Sequence, residues 1–186
     1  MKQGNAAGIP ERKSTRLLVI DLQERLMPVI HQNTELIQVV NKLIAGMEIL
    51  QIPTVVTEQY PKGLGNTHPS IELPGELRVH EKICFSCIKC NPLLQELQKE
   101  GVTDLVLCGV EAHICVLQTA LDALNSGFRV HVVADAVSSR FAENKTLALK
   151  RMQQSGAYIV SLEMILFLLM EEAGNEEFKA ISNLIK

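Results

Sequence analysis

The sequence predicts an α/β fold: a three-layer α/β/α sandwich with a mostly parallel, doubly wound six-stranded sheet. The first observation is that short unbroken apolar runs, which suit strands buried on both faces of a parallel sheet, recur along the chain. The second is that segments with apolar residues at helical spacing alternate with these runs. Because parallel strands need crossover connections, the alternation places helices on both faces of one sheet.

The first part of the chain contains two predicted strands with a long helix between them. Arg16–Ile20 is a buried-strand run that ends at Asp21. A sustained helical stripe then carries Leu36, Val39, Val40, Leu43, Ile44, Met47 and Leu50. Pro53 separates this helix from the second strand, Thr54–Thr57, which ends at Glu58.

A loop rich in glycine and proline, residues 59–69, leads to a short third strand. This strand is predicted around Leu77–His80, and Glu81 and Lys82 follow it. Asn91 and Pro92 have the residue types of an N-cap and a first helical position, and the helix that they begin ends at Gly101.

The fourth strand, Leu105–Cys108, is followed by a turn, Gly109–His113, and by a helix from about Ile114. The helix is indicated by Leu117, Ala120, Leu121 and Leu124, and Gly127 ends it. The rest of the chain alternates in the same way, with a strand at Arg129–Ala134 that ends at Asp135, a helix from about Phe141 to Ser155, a strand at Ala157–Val160, and helical patches at about Glu163–Glu172 and Glu176–Ile185.

The composition is that of one soluble globular domain. Of 186 residues, 47% are hydrophobic and 21% are charged, which fits a single domain with a sizeable core. Residues 1–13 are polar and are expected to form a flexible N-terminal tail, with residues 14–186 as the single domain. The formal net charge is −3 and there is no long basic run, so a nucleic-acid partner is not expected.

Two further features bear on partners and location. The longest apolar run, Met164–Met170, is too short to span a bilayer, so it indicates core or a subunit interface rather than a membrane segment. A homo-oligomer is therefore expected. Five cysteines are an odd number in a chain that needs no disulfides for stability, which favours reduced thiols and a cytoplasmic location.

Five side chains with useful chemistry follow predicted strands: Asp21, Glu58, Lys82, Cys115 and Asp135. Because ligands of open α/β sheets bind beyond the carboxyl ends of the strands, all five are expected at one rim. This convergence is the strongest spatial prediction that the sequence allows.

Cys115 is the predicted nucleophile. It falls in or next to the first turn of a helix, where free backbone N–H groups and the helix dipole favour an anion, so its thiol is expected to have a depressed pKa. Lys82 would add a positive charge nearby, and Asp21 would take the thiol proton, return it to the leaving group and then activate water. Backbone N–H groups of the turn would hold the oxyanion.

Each of these residues also has a purely structural interpretation. Cys115 could be a small buried hydrophobe, Asp21 could cap the turn after the first strand, and Lys82 could be a solvated loop lysine. His113, two residues before Cys115, could be the base of a Cys–His pair, although adjacent turn positions rarely direct two side chains at each other.

A second group of cysteines, Cys84, Cys87 and Cys90, invites an iron–sulfur or zinc interpretation. A fourth ligand at suitable spacing is missing, since Cys108 lies inside a predicted buried strand. Structural cysteines are therefore the favoured interpretation, and neither a metal nor a cofactor is expected.

Three segments together resemble a known family. They are Val19-Ile20-Asp21-Leu22-Gln23, Lys82 with Phe85-Ser86 shortly after it, and Gly109–Cys115. In order and approximate spacing they are similar to the three signatures of isochorismatase-like cysteine hydrolases, and the resemblance covers about Thr15–Ser161. It implies the Rossmann-type fold of that family.

The resemblance also implies the residues of the site. It implies an Asp21–Lys82–Cys115 catalytic triad and a cis peptide bond between Val110 and Glu111. That bond would direct the backbone N–H groups of Glu111 and Cys115 at the oxyanion.

Substrate is less well determined by the resemblance, which is strongest to a short, poorly characterised branch of the family rather than to the siderophore-pathway isochorismatases. Nicotinamidases of the family bind a metal through an Asp-x-His pair and a further His near the end of the second strand. The corresponding stretch here, Thr57–Pro61, lacks that pair. Gln23, Tyr60 and Phe85 are the candidates for lining the substrate pocket.

The sequence therefore predicts a metal-independent cysteine hydrolase that acts on a small amide-like molecule or on a related C–N or ether substrate. Two alternatives stay open. One is an amidotransferase-like α/β protein with a cysteine on a strand–helix elbow, in which Lys82 is dispensable. The other is a non-catalytic binding or scaffold protein of the same fold.

Overall fold

The structure is a computed structural model that describes residues 7–75, 77, 79–89 and 92–186. Six strands form one sheet in the order β3-β2-β1-β4-β5-β6, and every neighbouring pair is parallel. The predicted doubly wound α/β fold is confirmed, and in the described residues the sheet is entirely parallel. The strands are β1 Thr15–Ile20, β2 Thr54–Gln59, β3 Val79–Lys82, β4 Asp104–Gly109, β5 Arg129–Val137 and β6 Tyr158–Val160.

Helices cover both faces of the sheet. They are α1 Asn33–Ile49, α2 Pro61–Leu64, α3 Leu93–Lys99, α4 Leu117–Asn125, α5 Ala142–Gln154, α6 Leu162–Met170 and α7 Glu176–Ile185. Short 3₁₀ turns lie at Arg12–Ser14 and Met27–Val29, and a π-helical turn at Ala112–Val116 precedes α4. No helix in this part of the chain combines the length and the apolarity needed to cross a bilayer.

The core consists of two apolar layers, one on each face of the sheet. Leu17 and Val19 of β1 pack with buried residues of α1, α6 and α7, whereas Leu18 and Ile20 pack with those of α3, α4 and α5. Successive side chains of a strand point to opposite faces, so an unbroken apolar run is what a sheet covered on both sides requires. β1 lies at the centre, and the strand order reverses between β1 and β4.

Strand ends differ from the prediction in β2, β3 and β5. β2 continues to Gln59, so Glu58 lies inside this strand rather than after it. β5 continues to Val137, so Asp135 lies inside this strand rather than after it. The cause is a register shift against β4, which lets Gly109 pair with Val137 after Leu107 has paired with Val132. Lys82 is the last residue of β3 rather than a residue beyond it.

The chain is packed earlier than the expected boundary at residue 14. Among the described residues, the Arg12 guanidinium donates to the Glu177 carboxylate at 2.7 and 2.9 Å and to the Leu50 carbonyl at 2.6 Å. The packed part of the chain therefore begins before residue 14. Residues 1–6 of the expected tail, the Asn91 N-cap and Cys90 lie outside the described residues.

Candidate active site

Three strand ends bring Asp21, Lys82 and Cys115 together at the switch point of the sheet. The Lys82 ammonium donates to Asp21 Oδ2 at 2.6 Å, and the same carboxylate lies close enough to the Cys115 thiol to raise its pKa. The second oxygen of Asp21 accepts a hydrogen bond from Thr57 Oγ1 at 2.8 Å. All three side chains are buried, so the carboxylate is the centre of a desolvated network that joins a cation and a thiol.

The close approach of β1 and β4 positions this network. Gly109 has φ +115°, and a Cβ atom there would lie 2.0 Å from the Ile20 carbonyl oxygen, so only glycine fits. The next residue, Val110, donates its N–H to that same oxygen at 2.9 Å. Asp21 itself has φ +54°, a left-handed conformation that aspartate tolerates better than most residues. The turn after β4 is therefore held directly against Asp21.

The turn that carries Cys115 is tied to the loop after β5. The Val110–Glu111 peptide bond is cis. The Ala112 N–H donates to the Ser138 carbonyl at 2.7 Å, and the Glu111 carboxylate accepts from the Arg140 N–H at 2.9 Å and from Arg140 Nε at 3.1 Å. Within the described residues, the Glu111 N–H has no acceptor.

The charge state of the thiol differs from the prediction. Burial raises the pKa of Cys115, and the negative charge of Asp21 and its hydrogen bond raise it further, whereas Lys82 lowers it. The pKa therefore lies well above the usual range, and the expectation of a depressed thiol pKa is wrong for the resting protein. The reason is physical: desolvation of a buried thiolate and an adjacent carboxylate outweigh the nearby cation.

Lys82 keeps its charge in spite of its burial. Burial lowers the pKa of Lys82, but the attraction of Asp21 and of the thiols of Cys87 and Cys115 offsets this, so the pKa is raised. The ammonium also has neutral acceptors, Gln59 Oε1 at 2.8 Å and the backbone carbonyls of Phe85 and Cys84 at 3.1 and 3.4 Å. This is a buried cation with its hydrogen bonds satisfied, not a solvated loop lysine.

Sequence reasoning missed two residues of this network. Gln59 ends β2 at the same rim, but an uncharged amide gives no signal in a search for acids, bases and nucleophiles. Cys87 lies beside Thr57, with its sulfur 3.7 Å from Thr57 Oγ1, and burial raises its pKa to about 11. Its spacing to Cys84 indicated only a possible metal site.

The candidates for the substrate pocket occupy different environments. Tyr60 and Phe85 are each 51% exposed, and Tyr60 lines a cavity of about 330 Å³ beside Lys82 and Ile83. Gln23 is fully buried, and its amide hydrogen-bonds the backbone of Gln59 and the Gly65 carbonyl.

Two of the five residues expected at the rim are directed elsewhere. Glu58 accepts hydrogen bonds from the backbone N–H and the hydroxyl of Thr67. Asp135 accepts from the Leu162 N–H and lines a separate cavity of about 210 Å³ together with Lys145. Both residues lie inside strands, Glu58 in β2 and Asp135 in β5, and their hydrogen bonds go to the loop after β2 and to the start of α6 rather than to the three buried residues.

The remaining candidates from the sequence are His113, as a base for Cys115, and the cysteines, as metal ligands. His113 Nδ1 lies 3.0 Å from Ser139 Oγ, and its Nε2 lies 3.4 Å from Asn144 Nδ2, so the ring is held by the loop after β5 and by α5. Among the described residues, no group of three or more His, Cys, Asp or Glu could hold a metal ion, and Cys84, Cys87, Cys108 and Cys115 are free thiols.

Comparison with known proteins shows the family to which the chain as a whole is similar. The isochorismatase domain matches residues 15–164. The secreted isochorismatase effector Isc1 of Phytophthora sojae is 41% identical over 183 residues, covering 93% of this chain and 85% of that protein. Isochorismatase domain-containing protein 1 of Salmo salar is 43% identical over 175 residues, but this chain spans only 61% of its length.

A solved structure agrees in both sequence and shape. The structure described as MAR1 ribonuclease from Caenorhabditis elegans is 40% identical and covers 94% of this chain and 91% of that one, with a TM-score of 0.87. The match in sequence and the match in structure both extend over most of the chain. This chain belongs to the isochorismatase family.

Proposed function

We propose that this protein is a cysteine hydrolase that cleaves a C–N or related bond of a small amide-like molecule. One observation carries the proposal: the buried Asp21 carboxylate accepts a hydrogen bond from the Lys82 ammonium and lies close enough to the Cys115 thiol to raise its pKa. A buried acid–base group in direct contact with a nucleophile is the arrangement that covalent catalysis needs.

The first half-reaction begins from a protonated thiol. Cys115 Sγ attacks the substrate carbonyl carbon while Asp21 takes the thiol proton, so a thiolate forms only as the new C–S bond does. The N–H groups of Glu111 and Cys115 stabilise the oxyanion of the tetrahedral intermediate, a contribution of about 3–4 kcal/mol for each donor. Asp21 then gives its proton to the leaving amine, the C–N bond breaks, and a thioester remains on Cys115.

The second half-reaction restores the enzyme. Asp21 takes a proton from water, the resulting hydroxide attacks the thioester carbonyl, and the carboxylic acid leaves. Asp21 returns the proton to the Cys115 sulfur. In sum one amide and one water give one acid and one amine. Lys82 stays charged throughout and stabilises the Asp21 carboxylate and the transient thiolate.

The test is turnover of a panel of small amides, imides and esters by the wild type, Cys115→Ala and the matched control Cys84→Ala, which removes an exposed thiol. We expect loss of activity by about 10³-fold or more in Cys115→Ala and none in Cys84→Ala. Intact-protein mass spectrometry of the wild type with substrate should show an added acyl group on Cys115.

Two outcomes would overturn the proposal. Turnover that survives Cys115→Ala would exclude the thiol as nucleophile, and no turnover of any compound would favour a binding or scaffold role. RNA belongs in the panel because the similar nematode protein is described as a ribonuclease. The Lys82 side chain is only 1% exposed and already has four acceptors, so it is poorly placed to hold a phosphodiester.

Location and assembly are part of the same proposal. We place the protein in the cytoplasm, where its free thiols stay reduced, and subcellular fractionation of the tagged chain would test this. We also propose a homo-oligomer, since Leu147 and Met164 are more than half exposed on α5 and α6. Light scattering should give a multiple of the 20.6 kDa chain mass, and the mass of a single chain would contradict this.

A further inference from the structure

The Lys82 ammonium is surrounded by hydrogen-bond acceptors that restrict its position. An ammonium has three N–H donors, and here the three nearest acceptors are Asp21 Oδ2 at 2.6 Å, Gln59 Oε1 at 2.8 Å and the Phe85 carbonyl at 3.1 Å, with the Cys84 carbonyl farther away at 3.4 Å. The amide of Gln59 is therefore the nearest uncharged partner of this cation. A lysine is a point charge on a flexible stem, so its position depends on such fixed acceptors.

The Gln59 amide can be oriented in only one way. Its Nε2 donates to the Ile83 carbonyl at 2.7 Å, while its Oε1 accepts from Lys82. Exchanging the two ends would place N–H groups against the ammonium and an oxygen against a carbonyl oxygen. The side chain therefore fixes the ammonium relative to the backbone that follows β3.

The side chain of a second glutamine, Gln23, holds the main chain of Gln59 in place. The Gln59 N–H donates to Gln23 Oε1 at 2.8 Å, and Gln23 Nε2 donates to the Gln59 carbonyl at 3.0 Å and to the Gly65 carbonyl at 2.6 Å. Gln23 is fully buried. Because the Gln23 side chain is hydrogen-bonded to both the N–H and the carbonyl of Gln59, the end of β2 cannot shift without breaking a pair of buried hydrogen bonds.

We propose that Gln59, held by Gln23, is a positioning residue that sets where the Lys82 charge lies relative to Asp21 and Cys115. This inference rests on the proposed function of these three residues. An amide suits the role because it accepts from Lys82 without adding charge. A carboxylate in its place would add a second anion to the network and hold the thiol more firmly in its protonated form.

The test compares Gln59→Met and Gln59→Glu with the wild type, and uses Gln98→Leu, an exposed position on α3, as the control. The readout is the rate of iodoacetamide alkylation at Cys115 from pH 6.5 to 10, measured by peptide mass spectrometry with exposed Cys84 as the internal reference. Thermal unfolding of each variant accompanies it.

At pH 8 we expect Gln59→Met to slow alkylation of Cys115 by about threefold, because a less firmly held cation stabilises the thiolate less, and Gln59→Glu to slow it by about tenfold. Gln98→Leu should match the wild type, and Cys84 should react equally in all four proteins. If the methionine variant fails to fold, Gln59→Ala takes its place in the comparison with Gln59→Glu.

A merely structural role predicts a different pattern. Both variants lose the hydrogen bond from Nε2 to the Ile83 carbonyl, so equal effects on alkylation would show that Gln59 only anchors this segment, and would overturn the proposal. Unchanged rates in both would also overturn it. The Lys82→Met variant distinguishes failure of the proposed function from failure of the proposal for Gln59. If Lys82→Met leaves the alkylation rate of Cys115 unchanged, the proposed triad is wrong. If Lys82→Met slows the reaction and the Gln59 variants do not, only the proposed role of Gln59 is wrong.

Discussion

At the scale of single residues, the two charged neighbours of Cys115 act on its thiol in opposite directions. Asp21 raises the pKa of Cys115 through its charge and its hydrogen bond, and Lys82 lowers it. In the proposed mechanism the carboxylate is a base that receives the proton during attack, not a group that prepares a thiolate beforehand. Reactivity toward a simple alkylating agent and catalytic turnover should therefore respond differently to the two substitutions.

We predict that Asp21→Asn increases alkylation of Cys115 at pH 8 by about tenfold, because the removal of the anion lowers the thiol pKa. The same variant should lose about 10³-fold in turnover, because the general base is gone. Lys82→Met should instead slow alkylation. The measurement is iodoacetamide alkylation by peptide mass spectrometry, with Cys84 as the reference and thermal unfolding as a check of the fold.

The opposite signs are the decisive feature of this experiment. Slower alkylation in both variants would indicate a general loss of structure around the thiol. Faster alkylation in both would mean that Lys82 does not stabilise the thiolate, and its proposed role would have to be abandoned.

At the scale of elements, the meeting of β1 and β4 determines where Cys115 lies. Gly109 has a positive φ and stands against the Ile20 carbonyl, and the turn with the cis peptide begins at the next residue. Gly127, which follows α4, also has a positive φ, +88°, but no atom lies within 4 Å of a Cβ placed there. A side chain at Gly127 would therefore cause backbone strain alone, whereas a side chain at Gly109 would cause both backbone strain and a steric clash.

We predict that Gly127→Ala lowers the free energy of unfolding by about 1 kcal/mol, from backbone strain alone. Gly109→Ala should lower it by more than about 3 kcal/mol, because the new methyl group also forces β1 and β4 apart. Urea unfolding of both variants measures the difference.

Turnover provides the second comparison for these variants. Gly127→Ala should keep the wild-type kcat, whereas Gly109→Ala should lose activity even where it remains folded. Similar effects of the two substitutions on stability would show that the two strands can adjust and that the close approach is not required.

At the scale of the whole molecule, the two ends of the sheet carry different electrostatic networks. The rim with Asp21 lies at the carboxyl ends of the strands, and Asp104 lies at the amino end of β4. Its carboxylate is fully buried and accepts from Arg129 at 2.5 and 2.7 Å and pairs with His131 at 3.1 Å. The second end therefore ties β4 to β5 through charge-assisted hydrogen bonds.

The depressed pKa of Asp104 makes one contribution to the dependence of stability on pH. Burial raises it, but the hydrogen bonds from His131, Arg129 and Thr103 outweigh burial, and the pKa is well below the usual range. Because the folded-state pKa is depressed, this carboxylate contributes stability above the ordinary pKa of an unfolded aspartate. The contribution is lost as the pH falls from there through the folded-state value.

We predict that Asp104→Asn costs about 3 kcal/mol of unfolding free energy at pH 7, and that the difference from the wild type shrinks below about pH 4. Asp122→Asn is the matched control, since Asp122 pairs with the exposed Lys89 at 3.4 Å and should contribute less than about 1 kcal/mol. Urea unfolding at pH 7 and pH 3.5 provides the measurement. A difference that is independent of pH would show that the pKa of Asp104 is not depressed in the folded state.

Much of this organisation could be predicted from the sequence. The alternation of apolar runs and helical stripes is a local pattern, and it predicted the strands, the helices and the doubly wound sheet. That Asp21, Lys82 and Cys115 meet also followed from local information, because each residue ends or follows a strand, and parallel strands place these ends at one rim. The family resemblance rested on the same three segments.

Only the tertiary structure decided the remaining features, because they depend on register and burial across the sheet. A register shift between β4 and β5 places Asp135 inside a strand, which no local pattern of β5 shows. The raised pKa of Cys115 follows from desolvation by elements distant in sequence. The link from Gln23 through Gln59 to Lys82 joins three separate segments by amide hydrogen bonds, for which a linear sequence of polar residues gives no signal.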